Sequence, residues 1–233
     1  SSVNVSTTGT GAIDLDGLGA LTLSDVDTVN GAITASSAGA LTVTDVASGT
    51  NGNIVLSTSS GDITGLATVN AGSGNVTLNS AGAIVDDGSS GTVITGGVLT
   101  ADAAGGITID STVTSANIST SAAGAVDLDE TDAITLTDVD TNDGSITVDA
   151  GGLITATDVV ASGGSGDSVT LSTTTGGAVA TLVTGADAVS ITANAGDTTI
   201  GSVTATAGTL GVTATAGSIN DAADDNTADF TAG

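Results

Sequence analysis

This sequence predicts an all-β fold, a right-handed parallel β-helix (a solenoid) with coils of about 20–23 residues. Three observations point there. Short apolar-x-apolar triplets recur along the whole chain, and turn-forming residues separate them. A longer repeat lies over the short one. The interior chemistry on offer is aliphatic, because 233 residues contain one aromatic side chain, Phe230.

The triplets fall into two interleaved series. One starts at Ile13, Ile33, Ile54 and Val76 and resumes at Val126, Ile146, Val169, Val189 and Leu210. The other starts at Leu21, Leu41, Ile63 and Ile84 and resumes at Ile134, Ile154, Val179 and Ile200. Within a triplet such as Leu21-Thr22-Leu23 the side chains alternate, so each reads as a half-buried strand. Gly, Ser, Asn, Asp and Thr fill the intervals and supply the turns. Coils of this length divide the chain into about 11 rungs, stacked at ~4.8 Å into a rod on the order of 50 Å long.

The longer repeat has a constant offset of 113 residues. Residues 12–46 and 125–159 share 19 identities in 35 positions, with AIDLDGLGALTLSDVDTVNGAIT over AVDLDETDAITLTDVDTNDGSIT. The superrepeat therefore divides the chain into 12–124 and 125–233. Insertions enter at loop positions while the strands keep phase, as solenoids tolerate. The closing AGSINDAADDNTADFTAG resembles AGAIVDDGSSGTVITGG at 81–97. The whole of 1–233 is expected to be one β-helical segment, a fragment of a longer repeat array.

Two rivals fit less well. Tandem immunoglobulin-like sandwiches need longer strands and a larger, usually aromatic, core. Acidic disordered chains are poor in Val and Ile, whereas the mean hydropathy here is +0.41.

Charge narrows the partners. There is no Lys, Arg or His, and 26 acidic residues give a formal charge of −26. Nothing in the chain can neutralise phosphates, so nucleic acid is excluded as a partner. An anionic membrane surface repels it, and no apolar run reaches the ~18 residues of a membrane span. Without Cys, redox compartment is not indicated.

Units such as GAITASSAGALTVTDV and GSITVDAGGLITATDV, with the formula GAIVDDGSSGTVITGGVLTADAAGGI, resemble the haemagglutinin-type repeats of very large bacterial surface adhesins, the filamentous haemagglutinin class. The resemblance covers essentially the whole chain on small and β-branched residues. It implies a right-handed β-helix, an extracellular or cell-surface location, and a role as fibre, stalk or adhesin. Implied partners are neighbouring repeats, copies that self-associate into filaments, and host or environmental glycans. The family's amino-terminal secretion domain is not in this sequence, and the lack of Lys and Arg departs from the family.

Acidic residues concentrate at one kind of corner. An apolar-Thr-apolar-Ser/Thr-Asp-Val unit starting at 21, 41, 134 and 154 puts Asp25, Asp45, Asp138 and Asp158 at equivalent positions. Two carboxylates one rung apart repel by about 1 kcal/mol in water. Either each accepts backbone N–H bonds in its turn, or Ca²⁺ bridges adjacent rungs. Asp27 lies beside the first, and Asp140, Asn142 and Asp143 beside the third. The run Asp138-x-Asp140-x-Asn142-Asp143-Gly144 is loosely like an oxygen-rich calcium loop, with its Gly one place late. No cofactor is required by this reading, and Ca²⁺ is the one candidate ligand. Asn4, Asn75 and Asn117 match the N-glycosylation acceptor pattern, which such a composition produces by chance.

Catalysis is disfavoured. Asp86 with Asp87, or Asp127 with Asp129, could be offered as the carboxylate pair of an inverting hydrolase. No ring is available to stack on a sugar, and no His or Lys to tune a carboxylate. The expected function is therefore a non-catalytic extracellular fibre or stalk. A calcium-dependent binding module is the alternative, and a carbohydrate-active β-helix the remote one.

Overall fold

The computed structural model describes residues 1–91, 93–223 and 229–233. Among them the only regular structure is β-strand, and the strand pairings are parallel. The chain is a parallel β-solenoid made of two compact units, Ser1–Thr114 and Ser115–Gly233.

Each rung has three faces, one more than the two triplet series predict. In the first unit, the first face stacks Ile13, Ile33, Ile54, Val76 and Leu99 in register. The second stacks Leu21, Leu41, Ile63, Ile84 and Ile107. The third stacks Val5, Val26, Val46, Val69 and Ile94. It escaped the triplet count because most of its short strands bury one large apolar side chain rather than two.

The second unit repeats the plan. Val126, Ile146, Val169, Val189 and Leu210 form the first face. Ile118, Val139, Val159, Val183, Val203 and Phe230 form the third. The second face corrects the sequence register. Ile154 pairs with Ala178, and Ala178 with Thr198, so Val179 and Ile200 do not begin their strands. Alternation decides this: Ala178, Ala180 and Ile200 are buried and Val179 lies outward. A one-residue shift would have turned the whole strand inside out. Among the described residues, five first-face strands in each unit make ten rungs, against the eleven that division by coil length suggested.

Like residues stacked on like give a mainly aliphatic interior. Leu23, Ile33, Leu41, Ile54, Leu56, Leu78 and Leu128 are all 0 % exposed. Each such burial contributes about 1.5–3 kcal/mol of transfer free energy. Corners are closed by hydroxyls at the inner end of a strand. Thr28, Thr58 and Thr173 donate to the carbonyls of Gly31, Gly61 and Gly176 at 2.7, 2.8 and 2.6 Å. Ser48 and Thr141 do the same to Gly52 and Gly144. Side-chain amides also tie rung to rung. Asn53 Oδ1 accepts the Asn75 N–H at 2.9 Å, and Asn75 Oδ1 accepts that of Val98 at 3.2 Å.

Candidate functional site: a duplicated acidic corner

Third-face strands carry one inward Val between two outward positions, and in two rungs both outward positions are Asp. Asp25 and Asp27 flank buried Val26, and Asp138 and Asp140 flank buried Val139. Register then brings in the next rung. Val26 pairs with Val46 and Val139 with Val159, which sets Asp45 beside Asp25 and Asp158 beside Asp138. The backbone N–H of Val139 donates to the Asp158 carbonyl at 2.9 Å. Each unit thus holds one acidic trio, and the two trios are related by the 113-residue offset.

Crowding without cations shows in the protonation of these groups. Burial, above all, raises the Asp27 carboxyl above its ordinary value. A hydrogen bond shared with Asp25, and the charges of Asp25 and Asp45, push the same way. Asp45 is raised by burial and then by the Asp25 charge. Asp140 is pushed up to about 6, first by burial, then by the charges of Asp138 and Asp158, and by a hydrogen bond shared with Asp138. Two carboxyls can share a hydrogen bond only when one is protonated. Asp140 therefore keeps its proton up to about pH 6, and Asp27 and Asp45 hold theirs above the ordinary carboxylate range.

Sequence reasoning missed the residue beneath each trio. Asn4 pairs with Asp25 and donates from Nδ2 to its Oδ2 at 2.9 Å, and Asn117 pairs with Asp138 in the same register. The signal was available: the 113-residue offset extends back to SVNVST over SANIST.

Other predicted ligands lie elsewhere. Asn142 and Asp143 are exposed beyond buried Thr141, at the far end of the strand. Turn capping, expected at the trio, is carried by different aspartates. Asp86, Asp87 and Asp221 accept the N–H groups of Gly88, Ser89 and Ala223, two residues on, at 2.9, 2.9 and 2.8 Å. Among the described residues, no group of three or more acidic side chains is spaced to hold a metal ion. One atom of the second trio is left over: Asp158 Oδ1 is buried with no hydrogen-bond partner.

The hydrolase pairs also separate in character. Asp86 turns inward at 9 % exposure, whereas Asp87 is exposed and held low by hydrogen bonds from Ser89. Asp127 and Asp129 both lie outward around buried Leu128. A shallow groove of about 410 Å³ runs along the corner after the first face, past Asp16, Ser36 and Ser57, with Leu18 at its edge. Within it, Ser36 donates to Asp16 Oδ1 at 2.5 Å.

No protein-family model, no curated protein and no solved structure matches this chain.

Proposed function

We propose that the chain is a non-catalytic structural segment, a stalk or adhesive fibre of a bacterial extracellular surface protein. One observation carries this reading: large aliphatic side chains stack rung upon rung in register over three faces, for example Ile13 on Ile33 on Ile54. A structure of that kind gains length by adding rungs without changing its core. Its outer surface is hydroxyl-rich and acidic, with no cation and one ring, which favours solvation over substrate handling. The resemblance to haemagglutinin-type repeats supports the cell surface, and glycans or further copies as partners.

The test is accessibility. Antibodies against this chain should label intact source cells or their culture fluid as strongly as lysed cells. Label that appears only after lysis removes the surface reading.

A calcium-dependent binding module is the second reading, favoured by the partnerless Asp158 Oδ1. It requires that millimolar Ca²⁺ raise the melting temperature by several degrees, and that Asp158→Asn abolish the rise.

A further inference from the structure

We propose that Asn51 is a site of spontaneous covalent modification, at which the side-chain amide closes on the Gly52 nitrogen and the chain acquires an aspartyl or isoaspartyl residue. This chemistry belongs to one corner of the solenoid and holds wherever the protein acts.

The fold itself creates the reactive step. Gly31, Gly52 and Gly74 stack on successive rungs, at the corner that leads from the third face into the first. A Cβ on any of them would collide with the carbonyl oxygen of the glycine one rung earlier, Gly11, Gly31 and Gly52 respectively. Glycine is therefore required in each of these rungs, whatever residue precedes it. In two of them that residue is Asn. Asn30-Gly31 and Asn51-Gly52 are the two Asn-Gly steps of the sequence.

Beside Gly, an Asn side chain meets no Cβ as its carbonyl carbon approaches the following backbone nitrogen. The Gly nitrogen attacks Cγ, a C–N bond forms, and ammonia leaves with the Gly amide proton. Water then opens the cyclic imide at either carbonyl. One opening gives Asp. The other gives isoaspartate, in which the backbone runs through the former side chain. Water is the one co-reactant.

The two steps differ in what holds the Asn. Asn30 is tied to the following rung: its Oδ1 accepts the Thr50 hydroxyl at 3.1 Å and the Asn51 backbone N–H at 3.0 Å. Cyclisation must release both. Asn51 is exposed, and among the described residues its side chain has no hydrogen-bond partner. Its Cγ is free to turn onto the Gly52 nitrogen. The second copy shows that such a corner accepts the aspartyl product, since the 113-residue offset places Asp143-Gly144 over Asn30-Gly31. Isoaspartate is the damaging product. It adds a backbone atom just ahead of Gly52, whose carbonyl accepts the Ser48 hydroxyl, and so loosens the corner.

The experiment is incubation of the full 233-residue chain at pH 8 and 37 °C, folded in buffer and unfolded in guanidinium chloride. Samples taken over weeks are unfolded and cut by an endoprotease that acts on the amino side of Asp. Fragment 27–44 reports Asn30, and fragment 45–61 reports Asn51. Aspartate at 51 opens a new cut. Isoaspartate there resists the protease and is located by its mass gain on fragment sequencing. In denaturant the two steps should convert at similar rates. In the folded chain Asn51 should lead by about tenfold, the effect of two hydrogen bonds of modest net strength on Asn30. Asn51→Gln, whose longer amide must close a larger ring, should stop conversion at 51. Folded-chain conversion of Asn30 as fast as that of Asn51 overturns the proposal. So does an Asn51 that stays intact in the folded chain over the time in which the denatured chain converts.

Discussion

The hydroxyl of Thr28 donates to the carbonyl of Gly31 at 2.7 Å, from a side chain that is 5 % exposed. Thr58 with Gly61 and Thr173 with Gly176 repeat the clasp three residues apart. It lets a strand end inside the solenoid while the chain turns to the next face, because the corner carbonyl finds a partner without water. Thr28→Val keeps the shape and removes the donor. It should cost about 1 kcal/mol in urea unfolding, while Thr28→Ser retains most of that. Equal losses for both substitutions would assign the effect to packing instead.

Thr198 presents the opposite case. It occupies an inward position between Ala178 and Ile219 at 0 % exposure, and its Oγ1 has no partner. An unsatisfied buried hydroxyl is a penalty that an isosteric methyl removes. Thr198→Val should stabilise the chain by about 1 kcal/mol, read as a higher urea midpoint at unchanged slope. A lower midpoint would show that the hydroxyl has a partner after all.

Gly49 has φ +74°, and a Cβ there would lie 1.7 Å from the Val29 carbonyl oxygen. The corner needs both the left-handed backbone and the close approach. Gly49→Ala should therefore cost about 2 kcal/mol or more by thermal or urea unfolding. Gly211→Ala, in open space, should be nearly neutral.

Acid should strengthen this protein. Asp140 is pushed up to about 6 in the folded chain from an ordinary 3.8, so between those values the folded state binds a proton that the unfolded state does not. Its contribution is complete below the unfolded value and is lost as pH rises through about 6. Asp27 and Asp45, also raised, act in the same direction. Stability should fall from pH 4 to pH 7, and Asp140→Asn should recover about 1 kcal/mol at pH 7, a figure reduced for solvent screening. Unfolding midpoints that rise across this range would contradict the raised Asp140 carboxyl.

The fold could be read because aliphatic triplets such as Leu21-Thr22-Leu23 repeat with coil periodicity, and few other architectures bury Val, Ile and Leu so evenly. The third face was hidden because Val26 stands alone between Asp25 and Asp27, and Val46 between Asp45 and the small Ala47. The register at Val179 failed because Ala178 and Thr198 are weak inward signals beside a Val that faces out. The acidic trio was partly legible, since Asp25, Asp45, Asp138 and Asp158 share a corner. The contributions of Asn4 and Asn117 depend on which residues register brings together. Sequence spacing alone, by contrast, grouped Asn142 and Asp143 with residues from which Thr141 and the strand end separate them.

The decisive measurement is electron microscopy and diffraction of the native material from its source. The structural-segment account predicts thin surface or shed filaments that label with antibody to this chain and show a ~4.8 Å repeat along their axis. Labelled material consisting of isolated compact particles without that repeat would contradict it.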